Sequence, residues 1–257
     1  MQNKRGVNKT KRRLFIYFVM IGIISVLVFA MIFLIYVCFF ALDGESNAKN
    51  SVDTNVEEAP VVFTQQEAFE KGNEKLFCVV LDAGHGGKDS GAINGSVEEK
   101  NINLSVALKL KSLLKEYGID AILTREDDEF IELSERIELA NDLNADLFVS
   151  LHCNSFEDIS VKGFECYYAE DDYKSQRFAE KIINISEQYD EIATRTAKIG
   201  EYYVLTNARV PSVLVEMGFI TNSVECEKLE NSEYQMLLCE VIGEGILKVL
   251  ETKKTQT

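Results

Sequence analysis

From Leu14 to Leu42 the chain runs for twenty-nine residues without a charged side chain, and Ile, Leu, Val, Phe and Met dominate the stretch. About 20 apolar residues suffice to cross a bilayer as a helix. The run therefore predicts a membrane anchor and leaves the residues after it to form whatever globular structure the chain has. Lys4, Arg5, Lys9, Lys11, Arg12 and Arg13 precede the run, and Asp43 and Glu45 follow it. The positive-inside rule then places the N-terminus in the cytoplasm and the rest of the chain outside. A cleaved signal peptide is the alternative. Its apolar core spans only about 7–15 residues, and no clean small-x-small site follows here, Ala41 and Ala48 being the nearest approach. The expected layout is a basic cytoplasmic segment (1–13), a single-pass anchor (14–42), an extracytoplasmic linker (43–76), a globular domain (77–251) and a polar tail (252–257). Within the linker, Thr64-Gln65-Gln66-Glu67 has capping-box spacing and predicts a short helix to Gly72.

All six of those basic residues precede the anchor, so the formal net charge of −15 becomes −21 for the remainder. Such a surface repels nucleic acid and anionic lipid, and no nucleic-acid partner is expected. Outside the anchor, which holds Cys38, lie Cys78, Cys153, Cys166, Cys226 and Cys239. None forms a C-x-x-C pair, so a thiolate zinc site has no support. Cys153–Cys166 and Cys226–Cys239 are candidate disulfides, but small buried hydrophobes are the favoured reading.

Past Phe77 the pattern alternates between short apolar runs and amphipathic segments. Strands are predicted at Phe77–Asp82, Asp120–Thr124, Leu147–His152, Gly163–Tyr168, Tyr202–Leu205 and Val213–Glu216. Helices are predicted at Asn101–Tyr117, Leu133–Leu143, Tyr173–Tyr189 and Tyr234–Leu250. This alternation predicts a single three-layer α/β domain with a twisted, mostly parallel sheet flanked by helices. Such sheets place their sites outside the carboxyl ends of the strands.

The chain has two histidines, His85 and His152, and each closely follows an apolar run. Imidazole is the commonest protein ligand for transition metals. A hydrolytic zinc typically takes three protein ligands and one water, and two histidines plus a carboxylate is a known set. The third ligand must then come from carboxylates near strand ends: Asp82, Asp89, Glu98, Glu99 or Glu216. Glu99 stands out because it immediately precedes an amphipathic helix. Glu216 stands out because Val213-Leu214-Val215 and Met217-Gly218-Phe219 surround it, where a charge is costly unless paired or functional. A desolvated carboxylate has a raised pKa and suits general acid–base work. Plainer readings exist for each. A histidine after a strand is often a hydrogen-bonded loop residue. Glu99 would complement a helix dipole, and Glu216 would form a buried ion pair with Arg195 or Lys198. Gly84-His85-Gly86-Gly87 lacks the Gly-Lys-Ser/Thr of a phosphate-binding loop.

Five ordered blocks carry a family resemblance. Val80-Leu81-Asp82-Ala83-Gly84-His85-Gly86-Gly87-Lys88-Asp89-Ser90-Gly91-Ala92 is the first and Glu99-Lys100-Asn101-Ile102-Asn103-Leu104 the second. The third comprises Leu123-Thr124-Arg125, Leu133-Ser134-Glu135-Arg136 and Ala140-Asn141. Phe148-Val149-Ser150-Leu151-His152-Cys153-Asn154-Ser155 is the fourth, and Val210 to Asn222 the fifth. Together they resemble the zinc-dependent N-acetylmuramoyl-L-alanine amidases, which hydrolyse peptidoglycan. The resemblance implies zinc held by His85, Glu99 and His152, with Glu216 as the catalytic glutamate. It also implies peptidoglycan as substrate and leaves room for an activator protein. Arg195 and Lys198 are expected to contact substrate, and Asp82 to orient a ligand imidazole from behind.

The chain departs from the family in two places. Many members carry Arg-Gly-Val-Lys where this chain has Arg195-Thr196-Ala197-Lys198. Only Phe156 to Lys162 separates the fourth block from Gly163, too short for the inhibitory helix that some members insert there. An anchor with a single domain is similar to the sporulation amidases that begin muramic-lactam formation in spore cortex. Two other functions stay open at this point: a zinc peptidase cutting within the stem peptide, and a non-catalytic wall-binding regulator.

Overall fold

Three strands with period-two alternation build the centre of the molecule, and that alternation decides which side chains face which way. A computed structural model describes residues 77–254, all within one compact unit. The anchor and the helix expected at Thr64–Gly72 lie outside the described residues. Among the described residues no helix is long and apolar enough to cross a membrane.

The chain enters through β1 (Cys78–Ala83), a small hairpin of β2 (Ile93–Asn94) and β3 (Val97–Glu98), and helix α1 (Glu99–Glu116). Next come β4 (Asp120–Leu123), α2 (Leu133–Asp142), β5 (Leu147–Asn154) and β6 (Phe164–Tyr168). Helix α3 (Tyr173–Ser186), β7 (Thr194–Ile199) and the one-turn helix α4 (Tyr203–Thr206) follow. The strand β8 (Ser212–Phe219), α5 (Ser223–Glu230) and α6 (Ser232–Lys254) complete it. The main sheet has the order β4-β1-β5-β8-β6-β7. All neighbours run parallel except β6 and β8. The expected mixed α/β domain with a mostly parallel sheet is present.

The two faces are covered unequally. Val79 and Leu81 of β1, Leu147, Val149 and Leu151 of β5, and Val213 and Val215 of β8 join the larger core. Helices α1, α3 and α6 close that side, with α6 packed on both of the others. Val80, Phe148 and Leu214 point the other way, into a smaller core with Ile137 and Ala140 of α2 and Val204 and Leu205 of α4. Asp82, Ser150, His152 and Glu216 share that second face by the same period.

Several expectations are corrected. Tyr202–Leu205 is not a strand. Tyr202 O accepts from Leu205 N at 3.0 Å and Thr206 N at 2.9 Å, closing a helical turn that buries Val204 and Leu205. The edge strand is instead β7, whose Thr-Arg-Thr-Ala-Lys-Ile sequence is too polar to show a buried pattern. Helix α5 is also absent from the sequence-based expectation, because its exposed side is charged; Asn222 caps it, accepting from Val224 N and Glu225 N at 3.1 Å. The last helix runs from Ser232 to Lys254, longer at both ends than the expected Tyr234–Leu250. Cys78, Cys153, Cys166, Cys226 and Cys239 are all free thiols, so neither candidate disulfide forms.

Leu110 of α1 is fully buried and faces Gly243 of α6, where an added Cβ would lie 3.6 Å from its Cδ1. Leu110→Ala should lower stability by about 2–5 kcal/mol through the cavity it leaves at this helix crossing. Urea denaturation should show the midpoint falling at unchanged slope.

Candidate metal centre

Strand pairing brings the second histidine beside the buried glutamate. His152 of β5 and Glu216 of β8 are register partners on the thinly covered face, and Glu165 of β6 is opposite Glu216 on its other side. Three chemistry-bearing side chains thus lie in one row across three strands. His85 arrives from the turn after β1, with its ring centroid 4.9 Å from that of His152 and edge-on to it.

Glu99 joins them from the first position of α1. The β2–β3 hairpin fixes it there. Glu99 N donates to Ala92 O at 2.9 Å, and Ala92 N donates back to Glu99 Oε2 at 2.9 Å. The other carboxylate oxygen, Oε1, accepts from Cys153 N at 3.0 Å and Asn103 Nδ2 at 3.2 Å. It also lies 3.3 Å from His85 Nε2 and 3.0 Å from His152 Nδ1. One ligand atom each from His85, Glu99 and His152 falls within 4.8 Å of the others.

The spacing, the mixed nitrogen–oxygen donor set and a fourth side left open to a cavity all fit a hydrolytic zinc ion. That cavity has a volume of about 620 Å³, and its lining includes His85, Glu99, His152 and Glu216 together with Phe130, Leu133, Tyr202 and Tyr203. Burial disfavours charge on His85, but hydrogen bonds to Glu99 and Asp89 outweigh it and hold the imidazole up at about 9. Burial likewise opposes the charge on Glu99, yet its bonds to His152 and His85 drive the carboxyl well below its ordinary value. Protons and a divalent cation compete for such a set.

Glu216 is a different kind of carboxylate. It is 7% exposed, and its buried Oε2 has no hydrogen-bond partner among the described residues. Burial raises its pKa to about 7; His152 pulls it down, while Glu99 and Glu165 push it further up. The ion pair with Arg195 or Lys198 considered from sequence does not form. Both cations bind Glu165 Oε1, Lys198 Nζ at 2.7 Å. Tyr167 Oη donates to the other oxygen of Glu165 at 2.8 Å. Neither Arg195 nor Lys198 is among the residues lining the cavity.

Asp82 finds its hydrogen-bond partners away from the imidazoles. It accepts from Thr124 Oγ1 and Arg136 Nη1 at 2.8 Å and from Ser150 Oγ at 2.6 Å, and it hydrogen-bonds to neither imidazole. Asp89 takes the orienting role instead: its Oδ2 lies 2.8 Å from His85 Nδ1, leaving Nε2 to face the site. From sequence Asp89 is only a candidate ligand. Its spacing of four from His85, across a glycine-rich turn, is the signal that points to the orienting role.

A family model described as N-acetylmuramoyl-L-alanine amidase matches residues 79–248. The chain belongs to the N-acetylmuramoyl-L-alanine amidase family. It is 31% identical to a germination-specific N-acetylmuramoyl-L-alanine amidase of Bacillus subtilis, over 68% of this chain and 80% of that protein. Among solved structures of this family, it matches the catalytic domain of the CwlV amidase from Bacillus (Paenibacillus) polymyxa var. colistinus. The identity is 35% and the TM-score 0.65, covering 68% of this chain and 99% of that one. The CwlD amidase from Clostridioides difficile, solved in complex with the GerS lipoprotein, matches at 34% identity and a TM-score of 0.64, with the same coverage.

Two outcomes follow for the amidase centre. A Cβ at Gly84 would lie 2.2 Å from His152 Cε1. Gly84→Ala should therefore displace that imidazole and weaken divalent-metal binding, as a chelator competition titration would show. The second concerns pH. A carboxyl held near 7 when folded and near 4.5 when unfolded carries no penalty below pH 4.5 and the full penalty above pH 7. In metal-free protein, Glu216→Gln should thus raise stability at pH 8 by on the order of 3 kcal/mol and leave it unchanged at pH 4. Urea midpoints of the two proteins at each pH measure the difference.

Proposed function

We propose that this chain hydrolyses the amide bond between N-acetylmuramic acid and L-alanine in peptidoglycan, with zinc held by His85, Glu99 and His152 and with Glu216 as the proton carrier. The carrying observation is the pairing of a compact ligand triad with an adjacent buried carboxylate that has one oxygen unbonded. When bound, zinc supplies Lewis-acid polarisation of the scissile carbonyl and makes a water acidic at neutral pH.

The protein's own groups do the rest. Asp89 holds the His85 ring in the orientation that turns Nε2 inward. Glu99 is anchored by Ala92 N and Cys153 N, so its geometry does not depend on ligand. Glu216 takes the proton of the attacking water and returns it to the departing L-alanine amine. A pKa of about 7 suits both steps, since the group then accepts and releases a proton with similar ease. Val204 and Leu214 give the cavity beside the site an apolar wall from the smaller core.

The proposal extends to location and context. An anchor at 14–42 with the catalytic domain on the outer face of the cell membrane follows from the uncharged run and its basic flank. A role in wall or spore-cortex remodelling draws on the germination-specific relative, and a protein partner draws on the lipoprotein complex of the CwlD relative.

Glu216→Gln in the full chain should retain zinc and lose cleavage of purified peptidoglycan by about 10²–10⁴-fold. Product masses decide the bond: an amidase leaves a free muramic carboxyl, whereas a stem-peptide peptidase leaves L-alanine on the sugar. Undiminished activity of the variant would remove Glu216 from the mechanism.

A further inference from the structure

Two arginines lie inside the fold behind the metal centre, and the proton chemistry uses neither. Arg136 of α2 has a carboxylate partner in Asp82. Arg125, two residues after β4, is 1% exposed and forms no ion pair among the described residues. All four of its hydrogen bonds end on carbonyl oxygens. Nε donates to Ala83 O at 2.8 Å and Nη1 to Asp127 O at 3.0 Å. Nη2 donates to Gly84 O at 3.0 Å and to Lys100 O at 2.8 Å. Burying a guanidinium with no carboxylate in direct contact is unfavourable, and desolvation, with Arg136 beside it, lowers its pKa despite the opposing pull of Asp82, Asp128 and Glu129.

Two of those carbonyls flank metal ligands. Gly84 O belongs to the peptide that leads into His85, and Lys100 directly follows Glu99. A single nitrogen of Arg125 therefore ties the turn that carries one ligand to the helix that carries another. His85 also needs such a hold. It sits at φ +62°, a left-handed conformation uncommon for a residue with a side chain, and Gly86 and Gly87 continue with φ +130° and +54°. The φ and ψ of His85 are set by the two peptide planes around it. Arg125 grips the preceding one at Gly84 O, and Arg136 Nη2 grips the following one at His85 O, 2.8 Å away. The turn passes directly over the first guanidinium, since a Cβ at Gly86 would lie 2.9 Å from Arg125 Nε.

We propose that Arg125 is a positioning residue of the metal centre, fixing the placement of His85 relative to Glu99 by bonding the backbone beside each. The proposal rests on the ligand set given above. Lysine cannot substitute, because one ammonium nitrogen lacks the planar fork that reaches Ala83 O, Gly84 O and Lys100 O together.

The test uses the full chain in detergent, as wild type and as Arg125→Lys, with cobalt(II) as the probe. Circular dichroism reports the fold, competition with a chelator gives cobalt affinity, and the visible absorption of bound cobalt reports ligand geometry. Arg125→Lys should remain folded, bind cobalt roughly 10–100-fold more weakly, and show an altered cobalt spectrum. A folded variant with wild-type affinity and spectrum overturns the proposal. So does a variant that is unfolded with and without metal, which would make Arg125 a scaffold residue only. Failure of the wild type itself to bind cobalt or zinc would instead strike at the ligand set, and this inference would fall with it.

Discussion

The molecule depends on the register between β5 and β8. Side chains alternate along a strand, so a one-residue slip would exchange every residue between the two faces. In the observed register His152 is opposite Glu216, and Ser150, two residues earlier on the same face, is opposite Leu214. Val149, Leu151, Val213 and Val215 fill the larger core in the same stroke. Packing thus enforces the chemistry: burying those four hydrophobes leaves His152 and Glu216 no position but the face where His85 and Glu99 meet them. The bare Glu216 carboxylate is tolerated because the surrounding core fixes it there.

Much of this is legible in the residues. Apolar runs mark the central strands because those strands are buried on both faces, and the two histidines mark their carboxyl ends. Glu99 is legible as a helix-opening carboxylate. The edge of the sheet is harder. Strand β7 is flanked by solvent, so nothing forces its sequence into an apolar pattern, and Tyr202-Tyr203-Val204-Leu205 looks more like a strand than β7 does.

The side-chain partners are least legible, for a physical reason. A sequence shows that Arg195, Lys198, Asp82 and Asp89 carry charge, but not which opposite charge each will face. Glu165 takes both cations because antiparallel pairing with β8 leaves its other edge next to β7, a relation invisible without the strand order. Asp82 goes to Arg136 and Ser150 rather than to an imidazole because its strand position aims it along the sheet, toward its register partner. The carboxylates of the site consequently differ in what they do. Asp89 bonds a ring nitrogen of His85, Glu99 sits between the two imidazoles, Glu216 keeps one buried oxygen unbonded among the described residues, and Glu165 takes both Arg195 and Lys198.

The unequal coverage of the two sheet faces has a further consequence. Among the described residues three long helices seal one side, while α2 and the single turn of α4 flank the other, leaving the centre beside an open cavity. A crosslinked cell-wall network is far too large to be enclosed. An enzyme that works on such a material has to be laid against it, as a plane is laid against a board. The thin cover on this face leaves the site within reach of a substrate that cannot be wrapped.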